Sequence, residues 1–309
     1  MQDLSSIVFE FNLVPDESVS GIKIIPGSIK KQDKNRLYWL KNVDYYSYFK
    51  EGVIIISDSD FHFIKKHSLK NKSLIHLVSS SQKPRLLFAL ILNKYFLLDA
   101  ELLFENNIYK HKLNKNIRIA DNVFIGNNVE IGNGTVIYPN VVINSNTRIG
   151  ENCTIKENCT IATEGLGFEM FDGQWVKFPQ IGGVIIGNNV EMGPHSTIRR
   201  AALDETIIGH GAKMGSFVNI GHNCIIGNNA IFTCQCVISG SSIIGDNLFM
   251  GVQSSTRHGV RLGNNITLGH GAIVTKNFGD NLVLVGNPAE PIDDYKKWSD
   301  IRKKILSNS

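Results

Sequence analysis

The stretch IGHGAKMGSFVNIGHNCIIGNNAIF, residues 208 to 232, decides the fold. A large apolar residue stands at every sixth place: Ile208, Met214, Ile220, Ile226 and Phe232. Glycine follows the first four, as Gly209, Gly215, Gly221 and Gly227. The place two before each later anchor is small or β-branched: Ala212, Val218, Cys224 and Ala230. Neither the 3.6-residue helical period nor simple alternation produces this pattern. A fixed hexad is the signature of a parallel β-helix, with one short strand and one turn per repeat. Three hexads close one triangular coil, and the anchors fill the prism.

The same period runs outward in both directions. Ile119, Ile125, Ile131, Ile137, Ile143, Ile149, Ile155 and Ile161 form an unbroken series. After an interruption come Ile186, Met192 and Ile198, and the last series runs from Ile208 to Val274, with Thr256 its one place lacking a large apolar residue. Such a prism is quasi-one-dimensional, so its ends need caps. Residues 1–112 carry no hexad. They hold apolar runs, GVIIIS (52–57) and LIHLVSS (74–80), and a helical pattern at PRLLFALILNKYF (84–96), which together predict a small α/β domain. Residues 113–287 are the prism, with an inserted loop at 162–185. Residues 288–309 are a tail ending in a short helix, DDYKKWSDIRKKILSN, that carries Lys296, Lys297, Arg302, Lys303 and Lys304. That helix reads either as a solvated cap or as a docking patch for an acidic partner. The fold class is therefore mainly β.

A net charge of +4 over 309 residues, with no long Lys/Arg run in the body, argues against nucleic acid. No stretch reaches the roughly 18 apolar residues of a transmembrane helix. The start, MQDLSSIVFEF, predicts no signal peptide. Cys153, Cys159, Cys224 and Cys236 share one repeat phase with small residues, so they read as core thiols of a reducing, cytoplasmic compartment rather than disulfides. No metal-ligand spacing is evident, and we expect no metal and no bound cofactor.

Positions three hexads apart occupy the same place on successive coils. Asp204, His222, Gly240 and His258 should therefore stand in one file on one ridge, with the two histidines roughly 9 to 10 Å apart, twice the strand spacing. His210 and His270 share the hexad phase but lie on other ridges, so the phase itself tolerates histidine. The neighbours of His222 give it a chemistry. A glycine one coil away leaves a backbone N–H open to a ligand, where it can stabilise an oxyanion. A histidine near neutral pKa can take a proton from a nucleophile. Together they suit acyl transfer. No Ser/His/Asp or Cys/His arrangement is evident, which favours direct attack by the acceptor.

The interruption, ATEGLGFEMFDGQWVKFPQIGGVIIGNNVEMGPHSTIRRAALDET (162–206), resembles the bacterial UDP-3-O-acylglucosamine N-acyltransferases of lipid A synthesis. The likeness lies in Gly165-Leu166-Gly167-Phe168, in Trp175-Val176-Lys177-Phe178-Pro179-Gln180 and in the loop from Arg200 to Thr206. His222-Asn223 matches that family's catalytic His-Asn pair, Ser239-Gly240-Ser241 its Ala-Gly-Ser turn, and His258 its second histidine. LYWLKNVDYY offers Trp39, Asn42 and Tyr45 where the family holds uracil between two aromatics, with an asparagine midway. An aromatic pair suits a flat base and an amide can read its edge. The resemblance implies a left-handed β-helix and a homotrimer. It also implies an acyl thioester donor on acyl carrier protein and a UDP-linked amino sugar as acceptor. His222 would be general base, Gly240 the oxyanion donor, and His258 a group that orients substrate or contacts a phosphate. Asn223 and Ser241 would contact substrate, and Asp204 could orient His222, a role taken from its place in the column alone.

Three places depart from the family pattern: Arg199, Gly215-Ser216 and Arg257. The stretch LGHGAIVTKNFGDNLVLVGNPAEP is closer to short-chain, coenzyme A-dependent acetyltransferases of this repeat class. Two other readings therefore stand beside the first. One is an acetyl-CoA-dependent N-acetyltransferase of a nucleotide-linked amino sugar for surface polysaccharide. The other is a non-catalytic β-helix scaffold or sugar-nucleotide-binding module.

Overall fold

Strand Val136–Ile137 pairs in parallel with Arg118–Ile119 on one side and Thr154–Ile155 on the other, one lap of three hexads away in each direction. This register is the expected coil. A computed structural model describes residues 1–27, 32–80, 83–96 and 116–307. Its strands stack into three long parallel sheets, the three faces of a left-handed prism. Right-handed crossovers are the general rule, and they follow from strand twist. Strands as short as these carry too little twist to impose it.

The anchors point inward. Ile125, Ile143, Ile155, Ile161, Ile198, Ile220 and Ile238 are fully buried in one continuous core. Cutting one of them to alanine costs about 2–5 kcal/mol. Burial pushes the thiols of Cys159 and Cys224 up to about 11, so these are inert core residues; Cys153 and Cys236 are buried too, and Cys234 is exposed. The corners obey a rule of their own. Three places after an anchor the backbone is left-handed, as at Asn122, Asn128, Asn140, Asn146, Asn152, Asn158, Asn189, Asn223, Asn229, Asn247 and Asn265. Asparagine tolerates that region better than other side chains.

Two laps are longer than three hexads. Thr147 pairs with Val184, and Glu191 pairs with Lys213. The first holds the insertion and the second the loop from Arg200 to Asp204. The inserted segment is shorter at its far end than the expected 162–185, because Gly183–Ile186 is already a prism strand beside Thr147–Ile149. At the far end of the prism Val283–Val285 continues one sheet and Glu290–Pro291 returns antiparallel to it. The terminal helix then runs Ile292–Ser307.

The chain divides into two compact units, Met1–Leu98 with Leu166–Ile181, and Asp99–Gly165 with Gly182–Ser309. The boundary expected at 112/113 lies outside the described residues. In the first unit Lys23–Pro26, Arg36–Trp39, Gly52–Ser57 and Leu74–Ser79 form a parallel sheet. The unbroken apolar run of Gly52–Ser57 fits a strand covered on both faces. Helices Asp58–Lys66 and Pro84–Tyr95 pack on it. The hairpin Phe168–Phe171/Gln174–Lys177 from the insertion belongs to this unit. Its turn, Asp172-Gly173, has positive φ at both places, as a two-residue hairpin loop requires.

Candidate active site

His222 sits on the corner between strands Asn219–Ile220 and Ile225–Ile226. Its Nδ1 lies 2.9 Å from the Asn223 side-chain oxygen. The same oxygen accepts the Ala202 backbone N–H at 3.2 Å, which identifies it as oxygen rather than amide nitrogen. An amide oxygen only accepts, so Nδ1 carries a proton, and in the neutral ring the lone pair is on Nε2. The Asn223 backbone N–H is in turn held by Thr206 Oγ1 at 2.9 Å. Asn223 takes the left-handed corner, with φ +61°.

The Nε2 edge of the ring lies with its face against Gly240. A Cβ on Gly240 would lie 2.7 Å from His222 Nε2, 2.9 Å from Cε1 and 3.0 Å from Cδ2. Glycine is thus required there to make room for the imidazole. Its carbonyl accepts from Gly259, and its N–H has no acceptor among the described residues. Ser241 N–H donates to the His222 carbonyl at 2.7 Å, which locks the two coils together.

The file of four residues is present. Ile207 pairs with Ile225 and Ile225 with Ile243, so Asp204, His222 and Gly240 occupy one ridge; Ser255 opposite Val237 carries the register on to His258. The spacing of the histidines needs correction. Their ring centroids are 5.9 Å apart, well short of twice the strand spacing; the His222 ring occupies the space left bare at Gly240, on the coil between them. The His258 imidazole is held below its ordinary value, first by burial and then by the neighbouring His222 and Arg257. It therefore favours the neutral form. Asp204 is buried at the foot of the file, and its carbonyl accepts from Gly183.

A second ridge shows what an unreactive corner looks like. His210 N–H donates to Asn228 Oδ1, Asn228 N–H to Asp246, Asp246 N–H to Asn264 and Asn264 N–H to Asp280. His210 Nδ1 accepts from Asn188. Each member closes its neighbour's hydrogen bond, so His210 is a rung of a structural ladder. The His222 ring is held differently, with its Nδ1 on the Asn223 side chain beside it.

In the first unit the structure distributes the expected base-binding trio. Trp39 ends strand Arg36–Trp39, and its ring packs on Phe88 at 4.8 Å and Phe178 at 5.7 Å. Asn42 precedes the 3-10 helix Val43–Tyr48, is exposed, and makes no side-chain cap bond. Tyr45 is exposed, with Tyr48 at 6.2 Å and Lys41 over its ring. Trp39 and Tyr45 make no ring contact with each other. Sequence reasoning missed the wall behind Trp39: Phe88, Phe178, and Arg85, which lies over Phe178 and pairs with Glu169. Phe178 and Arg85 belong to the Trp-x-Lys-x-Pro-Gln and Pro-Arg segments already noted, so those motifs were the available signal.

Among the described residues no group of His, Cys, Asp or Glu could hold a metal ion, and no helix is long and apolar enough to cross a membrane.

Known proteins match in pieces. The family described as bacterial transferase hexapeptide (six repeats) matches residues 128–163, and hexapeptide repeat of succinyl-transferase matches 242–276. A UDP-3-O-acylglucosamine N-acyltransferase of Dechloromonas aromatica is 47% identical over 83 residues, 27% of this chain and 24% of the relative. One from Campylobacter lari is 38% identical over 149 residues, 48% of this chain and 46% of the relative. The chain thus spans less than half the length of these curated relatives. Among solved structures, the Francisella novicida UDP-N-acetylglucosamine acyltransferase superposes with a TM-score of 0.50 at 23% identity, covering 58% of this chain and 67% of that one. This last likeness concerns the fold.

Proposed function

We propose that this chain is an N-acyltransferase that moves an acyl group from a thioester carrier to the amine of a UDP-linked amino sugar, as the names of its relatives suggest for lipid A synthesis. The observation that carries the reading is the His222–Gly240 pair. The histidine has its basic nitrogen fixed over a glycine whose N–H is open. The acceptor amine attacks the thioester carbonyl, and a C–N bond forms. His222 Nε2 takes the proton that the amine loses. The Gly240 N–H donates to the oxyanion of the tetrahedral intermediate. The C–S bond then breaks, and the imidazolium returns its proton to the departing thiolate. A single oxyanion donor of this kind contributes about 10²–10³ in rate, and a positioned base about 10²–10⁴.

Neutral His258 orients the substrate beside His222, and Asp204 closes the foot of the file. Asn223 holds the base, and Ser241 borders the acceptor. Arg257 stands next to His258 and adds positive charge, which suits a donor with a phosphate on its arm, whether acyl carrier protein or coenzyme A. In the first unit, Tyr45 and the uncapped Asn42 are free to meet a uracil, with Trp39 braced by Phe88 and Phe178 as the opposing wall.

The working form in this proposal is a cytoplasmic homotrimer. Ile185, Ile207, Ile225 and Ile243 pair in register as an outward ladder on the face that follows the His222 ridge. Arg148 and Arg261 stand at its two ends. A second copy seated on this ladder would bury apolar surface and wall the ridge.

The test is mass spectrometry of the product from a UDP-amino sugar and a mixed pool of acyl carrier protein and coenzyme A thioesters. An N-acylated sugar drawn from the carrier-protein pool supports the reading. An acetylated product drawn only from coenzyme A supports the acetyltransferase instead. No product with any acceptor in the pool points to a binding module.

A further inference from the structure

Arg200 is a buried arginine whose guanidinium bonds two backbone carbonyls, with the Glu164 carboxylate also acting on its charge. It is 3% exposed. Its Nε donates to the Ala162 carbonyl at 2.7 Å and its Nη2 to the Ser145 carbonyl at 3.1 Å. Its own N–H donates to the Thr163 carbonyl at 2.9 Å. A buried charge is costly unless well bonded, so packing alone would be served better by an apolar residue.

The two bonded carbonyls mark a particular place. Ala162 sits in the left-handed region, with φ +60°, although it is neither glycine nor asparagine. Pairing with the next coil shifts there, between Ile161 and Thr163, so it is a bulge. Arg200 also opens the loop that lengthens its lap beyond three hexads. Further along that loop Ala202 donates its N–H to the Asn223 oxygen that fixes the His222 tautomer. Gly182 N–H holds the loop from below, through the Ala201 and Ala202 carbonyls at 3.1 and 3.2 Å. A Cβ on Gly182 would strike the Asp204 carbonyl at 2.2 Å. A chain of contacts thus runs from Ser145 and Ala162 through Arg200 and the loop to Ala202, Asn223 and His222.

We propose that Arg200 is a positioning residue for the His222 centre: it ties the Arg200–Asp204 loop to the bulge at Ala162, and so holds the Ala202 N–H on Asn223 and the His222 proton on Nδ1. The kinetic part of this rests on His222 being the base of the proposed acyl transfer. The structural part does not.

The experiment uses Arg200→Lys and Arg200→Gln in the full chain, each checked for far-UV circular dichroism. Hydrogen exchange reports the Ala202 amide, and ¹⁵N NMR of labelled histidine reports the tautomer of His222, assigned by its loss in His222→Gln. We expect Ala202 to exchange about tenfold faster or more while the neighbouring strand amides keep their protection. We expect His222 to lose its single Nδ1–H form, and kcat to fall by about tenfold or more with KM within about twofold. Unchanged Ala202 exchange and an unchanged His222 tautomer would overturn the proposal. Loss of the prism's circular dichroism in both variants would overturn it as well, by making Arg200 a folding residue. If the wild type transfers no acyl group, the functional reading fails, while exchange and tautomer still decide the role of Arg200.

Discussion

Asn223 Oδ1 accepts two hydrogen bonds, from His222 Nδ1 at 2.9 Å and from the Ala202 backbone at 3.2 Å. A neutral amide fills the place that a carboxylate takes in many histidine-based centres. It fixes the ring without adding a negative charge. Asn223→Ala should lower kcat by about 10–100-fold, as expected when a reacting group loses its orientation. Asn223→Asp should keep the ring in place but stabilise the imidazolium, moving the acid limb of the kcat/KM profile to higher pH. A pH-rate profile of both variants checks this; an unmoved limb in the Asp variant would count against it.

Gly240 and His222 share one volume. In Gly240→Ala the new Cβ lies 2.7 Å from Nε2, so the ring must leave its place. Transfer should fall by about 10²-fold. Because Gly240 is on a ridge and not an inward anchor, the circular dichroism of the prism should be kept. A variant as active as the parent would mean that Nε2 is not at the reacting amine.

The hexad was legible because inward anchors cannot vary much: Ile220, Ile226 and Phe232 fill one coil from its three faces, and Ile238, Ile244 and Met250 repeat them on the next. The file from Asp204 to His258 followed from the same constraint. The left-handed corner three places after most anchors was also in the sequence, at Asn122, Asn128, Asn140 and Asn146, but sequence reasoning followed the glycines and missed it. Other features depend on contacts that no period encodes. The lean of His222 over Gly240 is a rotamer choice, so ring separation could not follow from strand spacing. The bracing of Trp39 by Phe88 and Phe178 joins residues far apart in the chain, one of them in the insertion. Arg200 read as part of a motif; its bond to Ala162 depends on a bulge that only the folded backbone shows.

The isoleucine ladder gives an assembly prediction. Ile225→Glu and Ile243→Glu place charge on the outward face while leaving the anchors Ile226 and Ile244 inside. Light scattering should show the mass falling from three copies to one, with transfer lost alongside. A mass unchanged from the parent would put the interface on another face.

His76 makes the first unit sensitive to acid. It is fully buried, with Nδ1 on Asp16 at 2.9 Å and Nε2 on the Tyr46 hydroxyl at 2.8 Å. Burial holds its imidazole below the ordinary value, although Asp16 pulls the other way. Lys70, on the same Asp16, adds to the lowering, and Glu17 opposes it. The unfolded chain therefore binds a proton below roughly pH 6.5 that the folded unit resists. Stability should be full above that pH and fall as acid is added. Hydrogen exchange of strand Leu74–Ser79 between pH 7 and pH 5 should show this slope, and His76→Gln should flatten it. Constant or rising protection toward pH 5 would contradict the sign.

The most direct measurement compares His222→Ala with the parent in acyl transfer to a UDP-amino sugar, with binding of the sugar nucleotide followed in parallel. The prism ridge as the reacting centre predicts a rate lower by about 10²–10⁴-fold with sugar-nucleotide binding retained. Transfer at the parental rate would contradict it.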